Sequence, residues 1–207
     1  MDIVLDFDGT IVNSNRSKQQ AIDSFCLSHF GQTFQSRSKL PPRLYNRYQQ
    51  AEYCKQASLD THEIRSLDRA VVSSYSPHIL DPGFFSLCRF SRHYNVRLHL
   101  VSASEQNTLV SICSRIGIAH YFTTLTGTSN QFLKHCAFFR ISSSFGVHPR
   151  RLLTIGDFIH DYTESEPYGF PFYGIYSHDL SLQLPNHRLY TNLLDLLPSL
   201  RRKLASP

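Results

Sequence analysis

The chain has no run of about 18 apolar residues, so no helix is expected to cross a membrane. Its 207 residues contain no C-x-x-C and no H-x-x-x-H, although eleven histidines and five cysteines are present. Without those two spacings, a zinc site is not expected. Cys26, Cys54, Cys88, Cys113 and Cys136 are odd in number and far apart. That pattern argues against a disulfide framework and predicts reduced, mostly buried thiols in a cytoplasmic protein. The sequence also lacks a long basic run and any recognisable nucleic-acid module, so no nucleic-acid partner is expected. There is no internal repeat and no low-complexity tract. A core strand begins at once after Met1, which predicts that no signal peptide is present.

What is present is enough for a core. Hydrophobic residues make up 41% of the chain and aromatics 13%, which suits one domain or one domain with a small insert. The chain opens with Ile3, Val4 and Leu5, strand-forming residues uninterrupted by a turn residue, followed by Asp6-Phe7-Asp8-Gly9-Thr10. Asp6 and Asp8 thus fall where a strand gives way to a loop. In an open α/β sheet that is the carboxyl end, where ligands bind. Carboxylates this close repel each other and cost stability unless a cation neutralises them. The pair is a candidate divalent-cation site and a candidate nucleophile with a proton donor.

Two further apolar runs end in polar groups. Arg97–Ser102 ends in a hydroxyl, and Arg151–Asp157 ends in Gly156-Asp157, with Asp161 four residues beyond. Lys134 lies between them in a segment of helical pattern and is the only lysine between residues 56 and 202. Parallel strands would bring the strand-end groups to one edge of the sheet. Carboxylates, an ammonium and a hydroxyl gathered there suit a divalent cation and a phosphoryl group together.

This set of motifs resembles the haloacid-dehalogenase-like phosphohydrolases over residues 1 to about 178. The long gap between Asp8 and the second strand resembles the subgroup with a helical cap inserted after the first motif, as in phosphoglycolate phosphatases and β-phosphoglucomutases. The resemblance implies a Rossmann-like parallel sheet flanked by helices. It also implies a Mg²⁺-dependent phosphatase that works through an aspartyl-phosphate. Asp6 would be the nucleophile and Asp8 the general acid, then base. Mg²⁺ would be held by Asp6, the backbone carbonyl of Asp8, Asp157 and Asp161. Ser102, Lys134 and the backbone N–H groups of Gly9, Thr10 and Ala103 would hold the phosphoryl oxygens. Thr10 would orient the Asp8 loop. An acid at position 8 argues against dehalogenation, because halide needs no proton. Many relatives have Pro after the motif lysine, whereas this chain has His135.

Alternating patterns predict strands at 2–6, 96–102, 121–125, 151–155 and 172–176. Helices are expected near 16–30, 43–57, 61–74, 83–93, 105–116, 129–145 and 191–203, with a loop over 31–42. Residues 1–12 and 82–207 read as the catalytic core, and 13–81 as an all-helical cap. The cap segment carries more Lys and Arg than Asp and Glu, and the remainder is closer to neutral. A basic insert favours a small anionic phosphorylated metabolite. Lys18, Arg43, Arg47 and Arg65 are candidate contacts, with Arg16 and His62 as further ones.

Three other readings remain open from the sequence. A phosphomutase would use the same core and return the phosphoryl group to a sugar. A phosphonate hydrolase would need a cap lysine for a Schiff base, drawn from Lys18, Lys39 or Lys55. A non-catalytic phosphate-binding or receiver-like module would also join acids, a hydroxyl and a lysine on a parallel sheet. Its phosphorylated Asp, however, follows a later strand, and Ser102 stands at the nearest strand end here.

Overall fold

Short apolar runs that are buried on both faces pair most economically as parallel strands covered by helices. The structure, a computed structural model, describes residues 1–37, 45–129, 133–181 and 184–205. Six strands form one sheet among them: β1 Asp2–Leu5, β2 Arg97–Ser102, β3 Thr124–Gly127, β4 Leu152–Gly156, β5 Phe172–Ile175 and β6 Leu189–Tyr190. The order is β3-β2-β1-β4-β5-β6 and every pairing is parallel. Strand order reverses between β1 and β4, so the switch point lies beside their carboxyl ends. In register, Leu5 faces Leu100 on one side and Ile155 on the other.

The chain divides into two compact units, Met1–Asn13 with Pro77–Pro207, and Ser14–Ser76. The second unit is helical in its described residues: α1 Asn15–Phe30, α2 Phe34–Arg37, α3 Arg47–Lys55 and α4 Thr61–Ser73. Helix α1 stops at Gly31, which adopts the left-handed conformation. Helices α3 and α4 start with capping boxes, Asn46 with Gln49 and Asp60 with Glu63. Helix α2 lies within the segment expected to be loop. Thr33 and Ser36 bond each other's backbone N–H there, and Phe34 is fully buried. The expected helix over 43–57 is seen from Arg47, and its first residues lie outside the described ones.

The first unit adds α5 Phe84–His93, α6 Gln106–Arg115, α7 Lys134–Phe145, α8 Ile159–Thr163, α9 His178–Ser181 and α10 Leu193–Ala205. Val4, Val101 and Leu152 of the sheet pack with Ala137, Phe138 and Ile141 of α7. Asp81 Oδ1 accepts from Gly83 N at 2.7 Å and from Leu193 N at 3.2 Å, tying the starts of α5 and α10 together. The third strand runs over 124–127 rather than the expected 121–125. Residues 119–121 form a 3-10 turn after Gly117 ends α6, and pairing begins only when Thr123 N reaches Leu98 O at 2.7 Å. The expected helix over 129–145 is seen from Lys134; Ser129 sits at φ 55, and residues 130–132 lie outside the described ones. Strand β6 and the short helices α8 and α9 were not anticipated. Two to five residues are too few to show a period.

Candidate active site

Asp6 follows β1 and its backbone N–H donates to Ile155 O at 2.8 Å, which holds it against the end of β4. The next turn is tight. Ile11 N and Val12 N both donate to Phe7 O, at 3.0 and 3.1 Å, and Gly9 N donates to Val12 O at 2.8 Å. Gly9 has φ 86, and a Cβ there would stand 2.1 Å from Asp157 Oδ2. Only glycine meets both conditions. Gly156 is required for space: a Cβ would come within 2.3 Å of Asp161 Oδ2. The two glycines let two loops and a short helix converge on one point.

Three carboxylates meet at that point. Asp6, Asp157 and Asp161 each present an oxygen, all within 4.8 Å of one another. Lys134, the first residue of α7, reaches into them. Its Nζ donates to Asp6 Oδ1 at 2.6 Å and to Asp161 Oδ1 at 2.5 Å. The lysine side chain is 6% exposed, the same as that of Asp161. Asp161 is fixed at both ends: Oδ2 accepts from Phe158 N at 3.0 Å, and its carbonyl accepts from Ser165 Oγ at 2.6 Å. Asp157 is held by Ser177 Oγ on its carbonyl at 2.5 Å and by Thr10 Oγ1 on its carboxylate at 3.4 Å. A small cavity beneath the cluster is lined by Val4, Val101, Phe138 and Phe172. Such apolar backing strengthens every charge interaction above it.

Charge here is out of balance. Burial raises Asp6 to about 7, and the neighbouring carboxylates of Asp161 and Asp8 oppose its ionisation further, against the pull of Lys134. Asp157 is raised well above the ordinary carboxylate range, first by burial and then by Asp6 and Asp161. Lys134 is raised instead. Its two carboxylate partners outweigh the burial that would neutralise it, so it stays an ammonium. One ammonium cannot neutralise three crowded carboxylates, of which Asp161 is buried and the other two half-buried. Crowded, hard oxygen donors with surplus negative charge fit a cation such as Mg²⁺.

The remaining expected residues fall as follows. Asp8 is half-buried in the turn and bridges Val12. Its carboxylate is not part of the trio. Thr10 is buried, but its hydroxyl points at Asp157 rather than serving the Asp8 loop alone. Ser102 ends β2 and is buried, with Oγ accepting from Ser104 N at 3.1 Å, while Ala103 is exposed. In the other unit, Arg16, His62 and Arg65 are exposed and Lys18 is half-buried.

Arg43 lies outside the described residues, as does Lys39. Arg47 departs from its expected role as a substrate contact. It is 7% exposed, and its guanidinium donates to Asp68 Oδ1 at 2.8 Å and Tyr48 Oη at 2.7 Å. Its charge is taken up in joining α3 to α4. Lys55 is likewise engaged, by Glu63 Oε2 at 2.6 Å. Sequence reasoning missed Ser165 and Ser177, since a serine bonding a backbone carbonyl leaves no pattern in spacing.

Similarity to known proteins agrees with this geometry. No curated protein gives a significant match. Among solved structures, a predicted phosphoglycolate phosphatase from Haemophilus somnus superposes with a TM-score of 0.70 at 20% identity, over 95% of this chain and 96% of that one. A putative β-phosphoglucomutase from Thermotoga maritima gives 0.72 at 13% identity, over 98% and 99%. CbbY from Rhodobacter sphaeroides, in complex with phosphate, gives 0.71 at 13% identity, over 94% and 95%. These likenesses concern the fold. The sequence pattern of the haloacid dehalogenase-like hydrolases matches residues 3–163, a stretch that contains every strand-end carboxylate and the buried lysine described above. The chain therefore belongs to the haloacid dehalogenase-like hydrolase family.

Proposed function

We propose that this protein is a Mg²⁺-dependent phosphatase that hydrolyses a phosphate monoester of a small anionic metabolite through an aspartyl-phosphate on Asp6. The observation that carries this reading is the cluster of Asp6, Asp157 and Asp161 at the switch point of the sheet, with Lys134 held between Asp6 and Asp161. Asp6, Asp157 and Asp161, with the Asp8 carbonyl, would hold Mg²⁺, which when bound neutralises carboxylate charge and polarises a phosphoryl oxygen. Asp6 attacks phosphorus, and the bond to the leaving alkoxide breaks as Asp8 gives that oxygen a proton. Asp8 then takes a proton from water, the water oxygen attacks phosphorus, and the Asp6 carboxylate is released. Lys134, with Ser102 and the N–H groups of Gly9, Thr10 and Ala103, holds the phosphoryl oxygens.

Residues 13–81 act in this reading as a helical cap that selects substrate, with Lys18 and Arg65 steering the anion. Five free thiols support a cytoplasmic location. A phosphomutase would run the same first step and return the phosphoryl group to a sugar. Product analysis with a sugar 1-phosphate separates the two.

The test distinguishes the two leading aspartates. With a good leaving group, Asp8→Asn should form the phosphoenzyme and fail to hydrolyse it. Intact-protein mass spectrometry should then show one added phosphoryl group, mapped to Asp6. Asp6→Asn should show no adduct and no turnover. An adduct on Asp8, or one that persists in Asp6→Asn, would overturn the assignment.

A further inference from the structure

Directly after Lys134 stands a second constellation that the phosphatase reading does not use. His135 Nδ1 lies 2.5 Å from Glu164 Oε2, and the same carboxylate oxygen accepts from His135 N at 3.3 Å. The opposite ring nitrogen, Nε2, lies 3.3 Å from Cys136 Sγ. Tyr168 stacks on the imidazole, with ring centroids 4.3 Å apart and planes 5° from parallel. The ring is thus held by an acid on one side and a flat aromatic face on another. A carboxylate at Nδ1 requires the proton there, which leaves Nε2 free to accept one from the thiol. Acid, imidazole and thiol in that order form the relay that activates nucleophilic cysteines.

Two further observations set this cysteine apart. Cys136 is the one exposed thiol; Cys26, Cys54, Cys88 and Cys113 are buried. Burial also pushes the thiols of Cys88 and Cys113 up to about 12, so they resist ionising. Cys136 stands in the first turn of the twelve-residue α7, on the exposed surface. Exposure and a positioned base together suit a thiol that attacks soluble electrophiles.

We propose that Cys136, with His135 and Glu164, is a reactive-thiol modification site that exchanges with small soluble disulfides. In the exchange, the Sγ–H proton passes to His135 Nε2 and Sγ attacks one sulfur of the disulfide. A new S–S bond forms at Cys136, the incoming S–S bond breaks, and the departing thiolate takes the proton from His135. Cys136 is oxidised and the small disulfide reduced. Glu164 stabilises the imidazolium in between. The site shares no side chain with the carboxylate trio, so it stands or falls independently of the phosphatase reading.

The test uses the full chain and oxidised glutathione, with the site of the adduct mapped by peptide mass spectrometry. The rate at Cys136 is measured in the folded protein and again in urea, where the relay is dispersed. Folding should raise the rate about tenfold or more, given what a positioned base contributes. His135→Gln should bring the folded rate down to the unfolded one while the melting temperature confirms a folded protein. Glu164→Gln should lower it less. A folded rate equal to or below the unfolded rate would overturn the proposal, as would a folded His135→Gln protein that reacts as fast as the wild type.

Discussion

The two edges of the central sheet both carry buried aspartate beside cations, and they are built to opposite charge balances. At the amino edge, Asp2 is matched by two partners. Arg97 Nε donates to Asp2 Oδ2 at 2.9 Å, and His99 Nε2 lies 3.2 Å from the same oxygen. His99 is fully buried, with its other nitrogen 2.9 Å from Thr124 Oγ1, and Arg97 lies over the Phe145 ring. At the carboxyl edge, three carboxylates crowd together and Lys134 bonds only two of them, Asp6 and Asp161. The first cluster satisfies its charge with its own side chains and needs nothing more. The second is stable only if protons or a cation make up the difference. Among these two clusters, the surplus negative charge belongs to the carboxyl edge alone.

The largest effect expected from breaking this comparison is on turnover. Asp6→Asn should lower the rate of phosphate ester hydrolysis by about 10⁴-fold or more, the scale seen when a nucleophile is removed. Asp2→Asn should leave it within about threefold, since it touches no reacting atom. Steady-state kinetics on a generic phosphate ester reads both.

The same substitution should act in opposite directions on stability at the two edges. In chelator at neutral pH or above, Asp2→Asn should destabilise the fold by about 1–3 kcal/mol, because Arg97 loses its partner beside an apolar ring. Asp157→Asn should stabilise the metal-free protein, because it removes one of three crowded charges. Urea unfolding monitored by circular dichroism measures both.

The pH dependence has two signs. Asp6 is raised to about 7 and Asp157 is raised above its ordinary range, so the metal-free native state keeps protons that the unfolded chain has released. The contribution of Asp6 therefore falls as pH rises from about 4 through about 7, and that of Asp157 falls in the same direction. His99 is lowered by burial from 6.5, so the unfolded chain takes up a proton there that the native state refuses. Its contribution is lost as pH falls through about 6.5. Added Mg²⁺ competes with the protons of the carboxylate trio alone. The rise in Tm on adding Mg²⁺ should be larger near pH 8 than near pH 5.

The smallest expected effect belongs to the insert. Arg65→Gln and Lys18→Gln should each raise KM for an anionic substrate by about two- to threefold, with kcat little changed and a weaker dependence on salt. An unchanged KM in both would remove steering from the account and leave the comparison of the sheet edges intact.

Most of the carboxyl edge was legible because chemistry there is tied to strand ends. Asp6, Ser102 and Asp157 could be placed once β1, β2 and β4 were read as apolar runs, and Lys134 stood out as the lone lysine of a long interval. The amino-edge cluster was not legible. Asp2 and His99 meet only through the register of β1 and β2, in which Val4 faces His99 and Asp2 faces Arg97. Arg47 was misread for a related reason. Its sequence neighbourhood resembles any exposed basic helix, and only the fold of the helical unit brings Asp68 of α4 to its guanidinium. Relay partners such as Glu164, distant in sequence from His135, leave no trace in spacing at all.

The central claim is that the surplus charge at the carboxyl edge is a cation site and that the balanced cluster at the amino edge is not. Calorimetric titration of Mg²⁺ into the wild type, Asp157→Asn and Asp2→Asn tests it most directly. The account predicts one Mg²⁺ bound per chain in the wild type and in Asp2→Asn, and binding lost or severely weakened in Asp157→Asn. No Mg²⁺ binding to the wild type, or undiminished binding to Asp157→Asn, would contradict it.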